Sequence, residues 1–372
     1  MANQLNILIL DPFHTGSHAH WSTSLQREWN AQSNVDVSLM TMPGRYWKWR
    51  MHGASVEFAR QCDEFTQFPD AIICTDMLEV ASFKGLLRSD WNGIPLVQYF
   101  HENQLTYPWS PSDPDAQNGR NRTYGFMNII SAMASDAIWF NSDFHRTCFI
   151  NAVPKFLKPM PDGIRHFEEH AFFKKSAILP IGLDLPEYTD CTRPCNKPPT
   201  ILWNHRWEFD KNPDYFLHVL RHFKEYDVKF SLILTGPQFD SKPSALIQIQ
   251  HEFRAHILHQ GFASTRQEYT ALLKRSDFVI HSPKQEYFGI SVLEAMAHGV
   301  IPLLGKGTAY EDWCDPIFLT TNIPCARQRF QSIALKPESY RYKAVEIARQ
   351  FNWRDVLAHY DKEINNVIAR SD

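Results

Sequence analysis

Residues 281–304 read HSPKQEYFGISVLEAMAHGVIPLL. An apolar strand end runs into a polar loop carrying Glu286, a helix opens at Gly289 with Glu294 on its second turn, and another strand spans 300–304. A strand-loop-helix unit whose helix starts at glycine is a natural anion site, because unpaired N–H groups and the helix dipole point at whatever sits there. The pattern predicts a phosphorylated ligand. Residues four apart share a helix face, so Glu294 lies a turn below the amide of Ile290 while Glu286 stands on the preceding loop. Carboxylates here would repel a phosphate unless they face neighbouring hydroxyls, which suits a ligand made of sugar, diphosphate, ribose and base. The same spacing also fits a solvent-facing loop glutamate followed by one on an amphipathic helix.

Composition narrows the classes. With 372 residues the chain is long enough for two domains and two cores, and its net charge of −3 gives no global basic field for nucleic acid. The opening MANQLNILILDPF is cut by Asp11 after a strand's length, so it reads as neither signal peptide nor membrane span, and no later apolar run reaches bilayer length. The seven cysteines are odd in number and scattered, and Cys191 and Cys195 have no matching second pair, so neither a disulfide framework nor zinc is expected. A cytoplasmic, reduced setting without membrane contact follows as the expectation.

Working outward, strands alternate with helices on both sides of a proline-rich stretch. Strands are expected at 5–10, 35–40, 70–74, 94–100, 136–140 and 176–181, with helices near 17–29, 50–61, 77–88, 120–134 and 142–151. Residues 186–199, PEYTDCTRPCNKPP, forbid helix and interior strand and read as a linker. A second series follows, with strands at 200–204, 228–235, 256–260, 277–281 and 300–304 and helices at 213–224, 243–254 and 266–275. Residues 337–370 read as helices broken near Phe351 and Trp353. This alternation predicts an α/β chain of two doubly wound, Rossmann-like domains facing a central cleft: 1–185, linker 186–199, 200–350, and a C-terminal helix at 351–372 returning to the first domain.

Polar loops at the strand ends carry the candidate chemistry. Arg206 and Lys211 follow the strand 200–204 and could neutralise a diphosphate, or could pair with Glu208 and Asp210 at the surface. In YFHENQLTYP, His101, Glu102, Asn103 and Gln104 are consecutive polar residues at a strand end, suited to hold substrate hydroxyls or an acceptor, or to stabilise their own loop. Gly16 and Ser17 open the first helix without a full dinucleotide fingerprint. In GRYWKWRMH, Arg45, Lys48 and Arg50 interleave with Tyr46, Trp47 and Trp49, a pattern for RNA with exposed bases or for an amphipathic packing segment. Lys155, Lys158, Arg165, Lys174 and Lys175 form a second basic zone, diluted by Asp162, Glu168 and Glu169.

With these residues in place, the chain resembles the retaining GT-B glycosyltransferases of family 4: Glu286 and Glu294 match an E-x7-E motif with FG inside it, after the basic pair Arg206 and Lys211. Tyr287 stands where that family commonly has glycine. A narrower likeness, carried by Gly16–His18, RYWKWR, FHENQLTYP, RTYGFMNIISAMASDAIWFNS and NHRWEFDKNP, is to the tRNA-queuosine mannosyltransferase family. That resemblance implies transfer of mannose from GDP-mannose to queuosine in the anticodon of tRNA(Asp), without a metal or other cofactor. It implies that Arg206, Lys211 and the amides of Gly289 and Ile290 hold the diphosphate, Glu286 the mannose hydroxyls, Glu294 the ribose and His101 the sugar's far side. Gly16, Ser17, Gly236, Gly261 and Phe288 would line the donor site. Arg45, Trp47, Lys48, Trp49 and Arg50, with Glu102, Asn103 and Gln104, would meet the acceptor RNA. A family 4 enzyme acting on a glycolipid or cell-surface glycan, and a non-catalytic nucleotide- or RNA-binding protein, are the alternatives.

Overall fold

The computed structural model describes residues 4–161, 168–236 and 244–370. Of the second basic zone, Asp162 and Arg165 lie outside the described residues. The chain divides into two compact units, Met1–Gly182 with Trp353–Asp372, and Leu183–Asn352.

In the first unit, β1 (Leu5–His14), β2 (Val35–Pro43), β3 (Ala71–Thr75), β4 (Leu96–Phe100), β5 (Ala137–Phe140) and β6 (Ser176–Ile178) form one sheet in the order β2-β1-β3-β4-β5-β6. Every pairing is parallel. AIICT and LVQYF are buried at every position, because helices cover both faces of a parallel sheet. The strand order reverses between β1 and β3, which opens a crevice at their carboxyl ends. The helix Trp353–Ile368 packs back onto this unit: Trp21 Nε1 donates to Tyr360 Oη (2.8 Å) and Trp29 Nε1 to Asp361 Oδ1 (2.7 Å).

One helix begins earlier than its periodicity suggests. Trp47–Cys62 starts three residues before 50, so Trp47, Lys48, Trp49 and Arg50 are successive residues of a helix. Neighbours on a helix point about 100° apart, so these four cannot share one face. The helix expected from 77 starts only at Val80, because Glu79 caps it by accepting from Ser82 N.

In the second unit, β7 (Thr200–Trp203), β8 (Ser231–Thr235), β9 (Ile257–Gly261), β10 (Phe278–His281), β11 (Ile301–Gly305) and β12 (Leu319–Thr320) form a second parallel sheet, ordered β12-β11-β10-β7-β8-β9. Counted from β7, this is the dinucleotide-binding order, with its switch point between β7 and β10. No helix among the described residues is long and apolar enough to cross a membrane.

The stretch 186–199, expected as a linker, is bound along this second unit. Asp277, fully buried just before β10, accepts from Arg193 Nη1 (2.9 Å), Asn196 Nδ2 (2.9 Å), Thr200 N (2.9 Å) and Arg341 Nη2 (2.6 Å). Arg341 is itself fully buried and also donates to the Gly299 carbonyl. Two guanidiniums on one carboxylate require each other, since removing one partner leaves uncompensated charge in a dry interior. Asp277→Ala is expected to destabilise the protein by about 3–5 kcal/mol in urea unfolding, with Asp277→Asn recovering only part; a variant as stable as the parent would show that the anchor is dispensable.

Candidate active site

Sequence places two polar loops at the switch point of the second sheet, and hydrogen bonds lock them together. After β7 the chain turns through Asn204–His205–Arg206 into a short 3-10 turn, Phe209–Lys211, and Asn212 adopts a left-handed conformation (φ 55°) before the helix Pro213–Glu225. Asn212 Nδ2 donates to the Ser282 carbonyl (2.8 Å), and Lys284 N donates to the Asp210 carbonyl (2.9 Å). The loop after β7 is thereby fixed to the loop after β10.

Lys211 and Glu286 sit on opposite sides of that seam. Lys211 Nζ reaches Glu286 Oε2 at 2.8 Å and Asp210 Oδ2 at 3.4 Å, with the Lys211 and Glu286 side chains only 14% and 15% exposed. Burial alone would lower the Lys211 ammonium, but the Glu286 and Asp210 carboxylates outweigh it and hold the group above its ordinary value. Arg206 differs from the sequence expectation of an equal basic pair. Its side chain is 43% exposed and pairs with Glu208 (3.1 Å) and Asp210 (3.4 Å), so Asp210 stands between the two cations. Asp210 is buried, not at the surface.

The helix Ile290–Ala297 starts beside this seam. Gly289 is its N-cap at φ +99°, and a Cβ there would lie 2.6 Å from the Tyr310 ring, so both backbone and space call for glycine. No side chain caps this helix, so the amides of Ile290 and Ser291 precede the first intrahelical bond, Val292 N to Gly289 O (3.1 Å). Glu294 lies a turn further on, where it accepts from Tyr269 Oη (3.2 Å) and pairs with Arg266. Asn204 Nδ2 donates both to Tyr269 Oη (2.9 Å) and to the Ser291 carbonyl (2.8 Å). Beneath the loops His205 and His281 stack at 3.5 Å and 15°. Their Nδ1 atoms bond Ser291 Oγ (2.8 Å, His205) and Tyr310 Oη (2.6 Å, His281). Burial pushes both imidazoles well below the usual histidine value, and the Lys211 charge adds to it.

The remaining expected donor residues divide. Gly236, at φ +139°, ends β8 so close to the loop after β7 that a Cβ would meet the His205 carbonyl at 2.2 Å. Gly261 ends β9, followed by an exposed Phe262. Phe288 is a packing residue: its side chain is buried against Phe351, and its carbonyl accepts from Trp313 Nε1 (3.0 Å).

In the first unit the switch point between β1 and β3 gathers Asp11, His14, His18 and Asp76, with His101 from the end of β4. Gly16 (φ 53°) and Ser17 start the helix Gly16–Asn30 and are exposed. Behind them Asp11 accepts from Ser22 Oγ (2.8 Å) and lies 2.8 Å from His14 Nδ1. Burial would raise Asp11, but His14, His18 and Ser22 hold it below the usual carboxylate range. Asp76 accepts from the His101 backbone N–H (2.9 Å) and lies 3.4 Å from its ring Nδ1. Burial lowers His101 to about 3 and raises Asp76, so His101 is a neutral hydrogen-bonding ring at physiological pH. His101 stacks on His18 (4.1 Å) and meets Trp21 edge-on (5.0 Å).

Among the described residues, His18, Asp76 and His101 also offer ligand atoms within 4.8 Å of one another, a donor set a metal could use. The two rings are stacked 30° apart, so their in-plane lone pairs run side by side more than they converge. The other polar residues of the FHENQ loop make hydrogen bonds within it. Asn103 Oδ1 accepts from Leu105 N (3.1 Å) and Thr106 N (3.0 Å), and Gln104 Nε2 donates to Glu102 Oε1 (3.0 Å). Both Asn103 and Gln104 are buried, and Glu102 alone of the three is partly exposed.

Asp11, Asp76, Asn204, His205, Tyr269, Ser291 and Tyr310 were not singled out from sequence. Asn204 and His205 had a signal, since they lie between β7 and Arg206. Tyr269 and Tyr310 are single tyrosines in ordinary helical contexts, visible only once the chain folds.

Residues 6–183 match the family described as tRNA-queuosine alpha-mannosyltransferase N-terminal, and residues 192–313 match glycosyl transferases group 1. A tRNA-queuosine alpha-mannosyltransferase of Drosophila melanogaster is 28% identical over 94% of this chain and 92% of its own length. A GDP-mannose:cellobiosyl-diphosphopolyprenol alpha-mannosyltransferase of Xanthomonas oryzae is 23% identical over 66% of each chain. The solved sucrose-phosphate synthase of Thermosynechococcus elongatus shares the fold, with a TM-score of 0.72 at 13% identity over 99% of this chain and 100% of that one. Two parallel α/β sheets with paired loops at the β7/β10 switch point define a GT-B glycosyltransferase. Within that class, the chain belongs to the tRNA-queuosine alpha-mannosyltransferase family.

Two outcomes are expected from this site. Lys211→Ala should lower kcat for sugar transfer on the order of 10²-fold, with unchanged circular dichroism; parental turnover would remove Lys211 from the machinery. Because burial depresses His205 and His281 below the ordinary histidine value of about 6.5, the stability they contribute is present above that pH. It is lost progressively as pH falls below it, since only the unfolded state then takes up protons. Tm by scanning fluorimetry should therefore drop between pH 7 and pH 5, and His281→Gln should flatten the drop; an unchanged slope would contradict the assignment.

Proposed function

We propose that this enzyme transfers mannose from GDP-mannose to queuosine in the anticodon of tRNA(Asp), with retention at the anomeric carbon. The observation that carries this reading is the match of residues 6–183 to the tRNA-queuosine alpha-mannosyltransferase N-terminal family. Fold alone would leave the acceptor open. The names of both mannosyltransferase relatives agree with mannose as the sugar, and one of them names GDP-mannose as donor. The lipid-linked acceptor of the Xanthomonas relative is a weaker choice, because that relative covers 66% of this chain, whereas the Drosophila relative covers 94%.

The site chemistry supports a front-face displacement. Lys211 and the amides at the start of the helix Ile290–Ala297 would hold the diphosphate and its growing charge as the bond between the anomeric carbon and the phosphate oxygen breaks. The acceptor hydroxyl forms the new carbon–oxygen bond on the same face, and its proton passes to the departing diphosphate. Glu286, neutralised by Lys211, can face mannose hydroxyls without repelling the phosphates. Glu294 would take the ribose hydroxyls, in competition with Arg266 and Tyr269 for its oxygens. His101, held neutral, can accept or donate a hydrogen bond to a substrate hydroxyl. No protein carboxylate is required as base. A metal is not required by this chemistry either.

Incubation with queuosine-containing tRNA and GDP-mannose, followed by nucleoside mass spectrometry, should show one hexose added to queuosine. Unmodified queuosine from enzyme that binds GDP-mannose would sink the reading. Glu286→Ala should abolish the product while leaving Tm within a few degrees.

A further inference from the structure

The helix start at Trp47 divides the residues of RYWKWR between the interior and the surface. Trp47 turns inward and packs against Trp109 (5.6 Å) and Tyr124 (5.1 Å). Lys48 is held by Asp113 and Asp115, both at 2.7 Å, and Tyr124 Oη donates to Asp115 (3.0 Å). These two residues, expected from sequence to meet RNA, instead clamp the segment 109–124 onto the helix Trp47–Cys62. The clamped segment carries Arg120 and Arg122, both exposed.

Tyr46 and Trp49 do the opposite. Tyr46 is 73% exposed and Trp49 is 65% exposed, the two most exposed of the rings beside this clamp. Tyr46 is the N-cap of the helix and stands at φ 57°, ψ 48°, a left-handed conformation that asparagine and aspartate tolerate and a bulky ring does not. Such strain persists only where the surroundings fix it. Here Arg45 N donates to the Pro43 carbonyl (2.8 Å), and Gly44 lies so close to Thr15 that a Cβ would meet its side chain at 2.3 Å. Trp49 lies along its own helix over Gly53, where a Cβ would fall 2.8 Å from the indole. Only a residue without a side chain leaves room for the indole there. Arg45 lies 5.8 Å from the Tyr46 ring centre, and Arg50 donates to the Pro43 carbonyl at the base of the turn.

We propose that Tyr46 and Trp49 form a stacking platform for unpaired bases of an RNA loop, with Arg45, Arg50, Arg120 and Arg122 as its phosphate contacts. Two rings held out in water, one by a strained backbone and one beside a glycine, match the π-faces of splayed bases, and the arginines, Arg50 partly buried and the other three exposed, match the backbone between them. A paired stem offers no such faces. The proposal rests on the RNA acceptor named above and assigns which part of that acceptor this surface reads.

The test measures binding of the full-length protein, without donor, to an RNA hairpin with an unpaired loop and to a blunt duplex of equal length. Tyr46→Ala and Trp49→Ala should each weaken hairpin binding by roughly ten-fold and leave duplex binding, Tm and GDP-mannose binding unchanged. Trp49→Phe should recover most of the loss, and Arg45→Gln should reduce the salt dependence of both RNAs by about one counterion. Hairpin affinity unchanged in the double variant would overturn the platform. So would equal losses on hairpin and duplex, or a parental protein that binds neither RNA. If the parental protein binds hairpins through these rings yet adds no hexose to queuosine, the platform stands and the acceptor assignment falls.

Discussion

The ion pair between Lys211 and Glu286 is the constraint on which the second unit's candidate site depends. It joins the loop leaving β7 to the loop leaving β10 across the switch point, where a parallel sheet opens a crevice whatever its sequence. In this setting neither charge is worth much alone. An unpaired buried ammonium would attract phosphate but lose its proton more readily, and an unpaired carboxylate would repel the diphosphate. Paired, they form a site that is nearly neutral on one side and rich in amide donors on the other, at the start of the helix Ile290–Ala297.

The surrounding residues hold those groups still. His205 and His281, stacked and neutral, support Ser291 and Tyr310 from below, and Tyr310 in turn leaves room for nothing larger than glycine at 289. Asn204 and Tyr269 orient Glu294 from the side. The first unit uses the same arrangement with different chemistry: Asp76 fixes His101 through its backbone N–H, and burial keeps the ring uncharged. Each unit therefore presents hydrogen-bonding groups at the carboxyl ends of parallel strands, backed by a buried polar layer.

Much of this was legible in the sequence. The apolar runs LNILIL, AIICT and LVQYF mark strands buried on both faces, and their alternation with helices dictates the two parallel sheets. The E-x7-E spacing puts Glu286 on the loop before Gly289 and Glu294 on the helix after it, as the structure has them. What the sequence could not show is which polar neighbours are consumed by local structure. Arg206 and Lys211 look equivalent until Asp210 proves to be buried between them. Asn103 looks like a substrate ligand until its oxygen is found closing a turn. Lys48 and Trp49 look like one basic-aromatic patch until helical geometry turns one toward Asp113 and Asp115 and the other outward. Each of these outcomes depends on partners distant in sequence or on the angle between successive side chains, and neither is encoded in composition.

A crystal structure with GDP-mannose tests the central claim most directly. The account predicts the diphosphate against Lys211 Nζ and the amides of Gly289 and Ile290, with Glu286 on sugar hydroxyls and Glu294 on the ribose. A nucleotide bound elsewhere, with the Lys211–Glu286 pair untouched by ligand, would contradict it.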